Sequence, residues 1–408
     1  MKKIYVTISF AFILSISPRA QWVQQNSGVN TNLYSIYFLN NQTGWACGAY
    51  GVILKTTNSG KTWHKKSSCT NESLSFIKFF NKSEGITLGG RGTILRTNDG
   101  GEEWFSVNSG TFLRLTEACF INPKIGWAVG DDGIVIKTTD GGRNWHTLAY
   151  ASHYNITFVQ FINEEIGWLI TENGGEVYRT VDGGNCWELK YRLKRNTELW
   201  QLHFVDENIG WAAGEYNTLI KTTDGGDSWF PQHVTTSDFK LRSVYFRDAD
   251  NGWVTGSSGR IFRTHNGGNN WIQEEQRVGV ELLYIYFFDS QKGWVIGTHG
   301  KIIAVNYSEY LFPIELINFS AQIVDGRVKL FWQTKYERDN LGFVIQRKRK
   351  NTGWQKVDFV SSLGENHKIN SYSYIDESAQ SGLYYYRLKQ ISNRADEEIL
   401  PEVKIMVE

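Results

Sequence analysis

The feature that most constrains this chain is a repeat. The octet Thr138-Thr139-Asp140-Gly141-Gly142-Arg143-Asn144-Trp145 recurs with small edits, six copies in all, from Thr56 to Trp63, Thr97 to Trp104, Thr138 to Trp145, Thr180 to Trp187, Thr222 to Trp229 and Thr264 to Trp271. Each reads Thr-x-Asp/Asn-x-Gly-x-x-Trp, and successive tryptophans lie 41, 41, 42, 42 and 42 residues apart. A fixed period of this length marks units that stack or arrange radially. The octet itself has the chemistry of a tight turn: Asp140 can accept hydrogen bonds from backbone N–H groups just ahead of it, and the glycines allow positive φ. Thr138 ends one strand, and Trp145 opens the next with a large apolar face to bury.

Two further columns divide each period. One is Gly-Trp, at Trp45, Trp127, Trp168, Trp211, Trp253 and Trp294, with Ile86 in the second copy. The other is Phe, at 38, 79, 120, 161, 204, 246 and 287, followed two residues later by Asn40, Asn81, Asn122, Asn163, Asp206, Asp248 or Asp289. Those residues make the turn before the Gly-Trp strand. Each period therefore holds four strands, the size of a propeller blade. The Phe column has seven members against six octets, and the stretch Gln21–Gly28 matches the strand after an octet, with Trp22 again 41 residues before Trp63. The expected architecture is all-β: a seven-bladed β-propeller over residues 21–310 in which the N-terminal strand completes the seventh blade, followed by a β-sandwich over 313–408. Seven alternating stretches mark that sandwich: Glu315–Gln322, Val328–Thr334, Phe343–Lys348, Trp354–Val360, Tyr372–Ile375, Leu383–Gln390 and Val403–Val407.

Residues 1–20 read as a secretory signal peptide: Lys2 and Lys3, an apolar run from Ile4 to Ile16, then Ser17-Pro18-Arg19-Ala20. The run is short for a membrane span, and no later run is apolar enough for one. A mature protein that is secreted, periplasmic or on the cell surface is expected, as a monomer without a transmembrane segment. A net charge of +1 gives no reason to expect a nucleic-acid partner. Cys47, Cys69, Cys119 and Cys186 form no CxxC pair, and the eight histidines show no HxH or HExxH spacing, so neither a zinc site nor any other cofactor is expected. GxSxG and phosphate-loop patterns are absent from the sequence.

Three sets of residues are candidates for chemistry. The octet carboxylates and amides, Asn58, Asp99, Asp140, Asp182, Asp224 and Asn266, could in principle ring a metal. Asn replaces Asp at two copies with no other change, so we assign them to the turns. A basic residue precedes each octet: Lys55, Arg96, Lys137, Arg179, Lys221 and Arg263. These could hold an acidic partner; we expect instead stems packed on a neighbouring Trp with the charges in water. The third set varies on a constant scaffold, where binding residues tend to sit. It comprises the turns between second and third strands (Tyr50, Arg91, Asp131, Asp132, Glu172, Glu215, Tyr216 and His299) and the inter-blade linkers (Arg114, His153, Arg195, Lys240, Arg242 and Glu281). From these we take Tyr50, Arg91, Arg114, Asp131, Asp132, Glu172, Glu215, Tyr216, Arg242 and His299 as the candidate binding face. Acid and base mix there with aromatics, which suits a protein surface or a sugar better than a polyanion.

The octet resembles the Asp-box, or bacterial neuraminidase repeat, of sialidases and many secreted propellers. The fuller pattern GWA-x-G-x-x-G-x-I-x-K/R-T-T-D-G-G-x-x-W, best matched by Trp127–Trp145 and Trp211–Trp229, is similar to the photosystem II assembly and stability factor propellers over about Gln21 to Tyr307. Glu315–Ala321 and Gly342–Arg347 resemble the fibronectin type III-like module of exported Bacteroidetes-type proteins. These resemblances imply a non-enzymatic scaffold that binds a protein partner or a cell-surface glycan in the manner of an assembly factor, with a photosystem partner in a photosynthetic organism. The alternative is a glycoside hydrolase of the sialidase type. Such enzymes need three arginines, and only Arg114 and Arg242 start strands at corresponding places; every octet Trp is 16 or 17 residues from the next Phe, which leaves no room for a lid.

Overall fold

The computed structural model describes residues 22–194, 197–235, 239–274, 279–289, 291–306, 315–335, 337, 340–350, 352–363, 369–392 and 397–407. Residues 1–20, read as a signal peptide, and Arg195 lie outside the described residues. The chain forms two compact units, whose described parts are 22–306 and 315–407. No helix among the described residues is long and apolar enough to cross a membrane.

The first unit contains seven four-stranded antiparallel sheets among the described residues. In the first sheet the strands are Leu33–Phe38, Gly44–Gly48, Ile53–Thr56 and His64–Lys66, paired in that order. Five further sheets repeat this order. In the seventh, Leu282–Phe287, Lys292–Gly297 and Ile302–Asn306 are followed by Val23–Gln25 from the start of the chain, with Val23 opposite Ala304 and Gln25 opposite Ile302. The fourth strand begins one residue after the octet Trp rather than on it.

One contact recurs between neighbouring sheets. Each Phe pairs across the ladder with the Gly of Gly-Trp, as Phe38 does with Gly44. A Cβ on Gly44 would lie 2.6 Å from the Phe38 ring, so only glycine allows the ring to lie flat on the backbone. The other face of the ring takes the tryptophan of the preceding sheet: Trp45 on Phe79 with centroids 3.5 Å apart, Trp127 on Phe161 at 3.7 Å, Trp168 on Phe204 at 3.7 Å, Trp211 on Phe246 at 3.4 Å and Trp253 on Phe287 at 4.3 Å. Trp294 of the seventh sheet stacks in the same way on Phe38 of the first, at 3.6 Å. The octet Trp of the same sheet meets the ring edge-on, as Trp63 meets Phe38 at 5.9 Å and 81°. In the seventh sheet Trp22 does this to Phe287, at 6.3 Å and 76°. Trp22 thus holds the place of the missing octet Trp. Polar ties run beside the rings: Lys78, Gln160 and Tyr286 donate to the carbonyls of Phe120, Phe204 and Phe38 at 3.0, 2.8 and 3.0 Å.

The octets are turns closed by side chains. Thr138 Oγ donates to Asp140 at 2.9 Å and accepts from the Gly142 N–H at 2.9 Å; Asp140 accepts the N–H groups of Arg143 and Asn144 at 3.0 and 2.9 Å. Asn58 and Asn266 accept the equivalent N–H groups of Thr62 and Asn270, both at 2.9 Å, so an amide oxygen does the same work. Partial burial works against the Asp140 charge, but the Asn144, Thr138 and Arg143 hydrogen bonds outweigh it and hold the carboxyl at about 2. Hydrogen bonds from Ser228 hold Asp224 at about 2, and Asp99 and Asp182 are lowered chiefly by the backbone N–H groups of Glu103 and Cys186. The Asn or Asp after each Phe accepts two N–H groups in the same manner, as Asn40 does from Gln42 and Thr43 at 2.9 and 2.8 Å.

The second unit has a three-stranded sheet, Glu315–Val324, Arg327–Lys335 and Asn370–Asp376, and a four-stranded sheet, Gln355–Ser361, Asn340–Arg349, Gly382–Ser392 and Glu397–Val407. All seven predicted stretches fall on strands, the fourth beginning at Gln355 rather than Trp354. One apolar cluster draws Val328, Leu330, Trp332 and Tyr372 from the first sheet and Phe343, Ile345, Tyr386 and Leu388 from the second.

Two outcomes are expected. Deleting residues 21–28 removes a ladder strand together with Trp22, and should lower the melting temperature of the whole first unit; an unchanged temperature would show that the seventh sheet stands without that strand. Asp140→Ala leaves turn N–H groups unpaired and should cost about 1–3 kcal/mol, measured by denaturant unfolding. Because the folded box aspartates ionise more readily than unfolded ones, their stabilisation is present above about pH 4 and is lost as pH falls toward the folded value. A variant with Asn at 99, 140, 182 and 224 should therefore show a flatter decline of melting temperature through that acid range.

Candidate functional site

The first strand of every sheet is anchored at both ends, by Leu or Ile at its start and Phe at its end, and the register slips by one residue between its first and third positions in all seven sheets. A bulge of this kind re-aims side chains. Here it turns the second residue of each strand, and in four sheets the third as well, to a single cavity of about 640 Å³. The second positions are Tyr34, Ser75, Thr116, Thr157, Trp200, Arg242 and Leu283; the third positions are Glu117, Phe158, Gln201 and Tyr284. Residues just before the strands complete the wall, Arg114, Glu198 and Glu281 among them, with Gly90, Glu172 and Thr298 from the turns.

Of the ten residues taken as the binding face, Arg114, Glu172 and Arg242 line this cavity. Tyr50, Arg91, Asp131, Asp132, Glu215, Tyr216 and His299 do not; they sit on the turns between second and third strands. Five of these turn residues, Tyr50, Arg91, Asp132, Tyr216 and His299, hold left-handed backbone, with φ between 50° and 58°. The glycine that follows Arg91 shows why the turn is shaped so: a Cβ on Gly92 would lie 2.0 Å from the Thr111 carbonyl of the linker. Turn and linker are therefore pressed together, and their charges pair. Arg114 donates to Asp131 at 3.1 Å, Lys240 meets Glu215 at 3.2 Å, and Arg91 lies 4.0 Å from Glu72. The backbone N–H of Asp132 donates to Asn155 at 3.0 Å, and that of His299 approaches Asn32 at 3.4 Å. Tyr50 and Tyr216 are 74% and 58% exposed.

Inside the cavity the Arg242 guanidinium lies 3.6 Å over the Trp200 ring, and its Nε donates to Glu281 at 2.7 Å. Trp200 Nε1 donates to Glu198 at 2.8 Å, and Asn155 donates to Glu172 at 3.0 Å. Glu117 is buried and accepts the N–H of its neighbour Ala118 at 3.0 Å. Burial pushes its carboxyl up to about 8, against the pull of that N–H and of the Lys78 ammonium. Burial also lowers Lys78 and raises Tyr284.

Glu117, Glu198, Trp200, Gln201 and Tyr284 were outside the sequence-based set. The signal was present: the second position of the first strand is a variable column on an otherwise constant strand. A regular strand would bury one of two adjacent residues, and the bulge that turns both to the cavity has no mark in the residues themselves. The basic column before the octets is accounted for by packing. Lys55, Lys137, Arg179, Lys221 and Arg263 lie over Trp45, Trp127, Trp168, Trp211 and Trp253 at 5.8, 4.8, 5.7, 5.0 and 5.2 Å. No cluster of His, Cys, Asp and Glu among the described residues is placed to hold a metal ion.

Four-stranded sheets joined side by side through Trp–Phe stacks, with side-chain-closed octet turns, define an Asp-box β-propeller. The family model described as photosynthesis system II assembly factor YCF48 matches the chain over residues 15–113, 69–193, 148–233, 187–274 and 230–306, and the chain belongs to that family. Among solved structures it is similar to YCF48 bound to D1 peptide, with a TM-score of 0.62 and 17% identity over 70% of this chain and 94% of the other. YCF48 from Cyanidioschyzon merolae gives a TM-score of 0.61 and 22% identity over 71% and 99%. A GH74 enzyme from Niastella koreensis gives 0.56 and 14% over 93% and 73%. At these identities the likeness is one of fold. No curated protein matches the chain.

Glu117 makes a testable mark on stability. Between about pH 4 and pH 8 the folded protein keeps a proton that the unfolded chain has released, so stability falls as pH rises through that window. Glu117→Gln keeps the shape without the titration. Its melting temperature relative to the parent should rise from pH 5 to pH 8.5; a constant difference would show that Glu117 is ionised in the fold.

Proposed function

We propose that this protein is an exported, non-enzymatic scaffold that binds a protein partner at the cavity and the turns around it. In this reading the seven sheets are the blades of a closed ring, locked by Val23–Gln25, and the two C-terminal sheets form a fibronectin-like sandwich that acts as a spacer. The observation that carries the reading is the cavity wall. All seven first strands contribute to it, and it mixes Trp200, Tyr34 and Tyr284 with both signs of charge. Aromatic and arginine side chains in a recess are common energetic anchors of protein interfaces. Membership of an assembly-factor family, and a YCF48 structure solved with a D1 peptide bound, point the same way. A sialidase-type reading has less support, because Arg242 is tied to Glu281 and Arg114 to Asp131, which leaves neither free for a substrate carboxylate.

The test is capture of partners from an extract of the source cells. Arg91→Glu with Tyr216→Ala, both on exposed turns, should weaken capture without changing the melting temperature. Lys137→Glu with Lys221→Glu, on the octet side, should leave capture intact. Loss of capture in the octet pair alone would place the site on the wrong face, and loss on enzymatic deglycosylation of the extract would identify a glycan in place of a protein.

A further inference from the structure

The charges lining the cavity do not balance. Its two arginines are already neutralised, Arg242 by Glu281 and Arg114 by Asp131. Glu172, Glu198 and Glu117 make no ion pair among the described residues. Glu172 is held by the neutral amide of Asn155, and Glu198 by the neutral indole of Trp200. Glu117 is 7% exposed; one oxygen takes the Ala118 N–H, and the second has no hydrogen-bond partner among the described residues although the side chain lines the cavity. Lys78 is the positive group near Glu117; its ammonium donates to the Phe120 carbonyl at 3.0 Å and makes no ion pair among the described residues. An acidic group in a recess without a counter-charge is costly to ionise, and a cation supplied beside it favours the charged form.

The rest of the wall suits the apolar stem and the charge of a long basic side chain. Tyr34, Phe158 and Tyr284 line the same cavity as these carboxylates, and ring faces attract ammonium and guanidinium groups. A volume of about 640 Å³ accommodates several side chains. An anionic ligand would meet arginines that are already paired and carboxylates that are not.

We propose that the cavity is the seat of a lysine or arginine side chain carried on a basic peptide segment of the partner. This rests on the reading of the cavity face as a protein-binding surface. From the seat outward, exposed tyrosines such as Tyr50 and Tyr216 would flank the backbone of the segment.

End-blocked tetralysine, end-blocked tetraglutamate and spermidine distinguish the sources of charge in calorimetric titrations of the full chain. Tetralysine should bind one to one and more weakly as salt rises. Glu172→Gln with Glu198→Gln should weaken it at least roughly tenfold at an unchanged melting temperature. Glu103→Gln with Glu207→Gln, exposed carboxylates away from the cavity, should not weaken it. Should the cavity pair melt early, Glu172→Gln alone carries the comparison. Absence of tetralysine binding, equal loss in the control pair, or equal binding of tetraglutamate would overturn the seat. Spermidine binding as tightly as tetralysine would overturn the peptide. If the Arg91→Glu, Tyr216→Ala variant loses its partner while the cavity carboxylates prove silent, the protein-binding face stands and the cationic seat falls.

Discussion

A phenylalanine ring held between two surfaces is what the rest of the propeller depends on. One surface is the glycine backbone of its own sheet and the other is a tryptophan of the sheet before it; a second tryptophan seals the edge. Glycine is obligatory because a Cβ would stand 2.4–2.7 Å from the ring in every sheet. Each sheet supplies the ring for one neighbour and, except in the second sheet with its Ile86, the tryptophan for the other, so no sheet completes its own core. That makes stability a matter of neighbour contacts, as in other repeat arrays. It also explains why the first strand of the chain belongs with the last three of the unit: Trp22 seals the ring of Phe287, which the seventh sheet cannot do from its own segment.

The same constraint builds the cavity. The Phe at the end of each first strand and the Leu or Ile at its start are fixed by packing, with Leu33, Leu115 and Leu241 fully buried. The bulge between them turns the second residue of each strand, and in four sheets the third, to the cavity. These positions differ widely between copies, from Ser75 to Trp200 to Arg242. Function can vary there without disturbing the stacks, because the stacks lie at the other end of the strand.

Much of this was legible in the residues. The octets, the Gly-Trp and Phe columns, the seven turn-forming Asn and Asp residues and the pairing of Val23–Gln25 with Ile302–Ala304 all follow from period and turn chemistry. The second unit was legible strand by strand, although its strands run up to six residues longer than the alternation suggested, as Glu397–Val407 does against Val403–Val407. The site was legible only in part. Arg114, Glu172 and Arg242 of the cavity wall were singled out because linkers and turns vary visibly. Glu117, Trp200 and Tyr284 were not, because variation inside a strand reads as tolerance until a bulge shows where the side chains go. Nor does a sequence say which charges cancel: Arg91, Asp131 and Glu215 each have a partner of opposite sign that no spacing rule identifies.

The second sheet tests the account from within the chain. It has Ile86 where the others have tryptophan, and Phe120 of the next sheet accordingly has no indole on its face. Arg96, the basic residue of that sheet, has no indole to lie over; it is 3% exposed and reaches Glu84 at 3.5 Å, where Arg143 of the following octet also arrives at 2.9 Å. Burial lowers Arg96, with the charge of Arg143 adding to the effect and Glu84 opposing it. A basic residue kept to bind an acidic partner would have no reason to follow the tryptophan. One kept to cover the tryptophan would turn elsewhere when the ring is missing, and Arg96 does. The basic residues before the octets are therefore placed by packing, whereas Glu172 and Glu198 at the cavity make no ion pair among the described residues and Glu117 beside them is a buried acid.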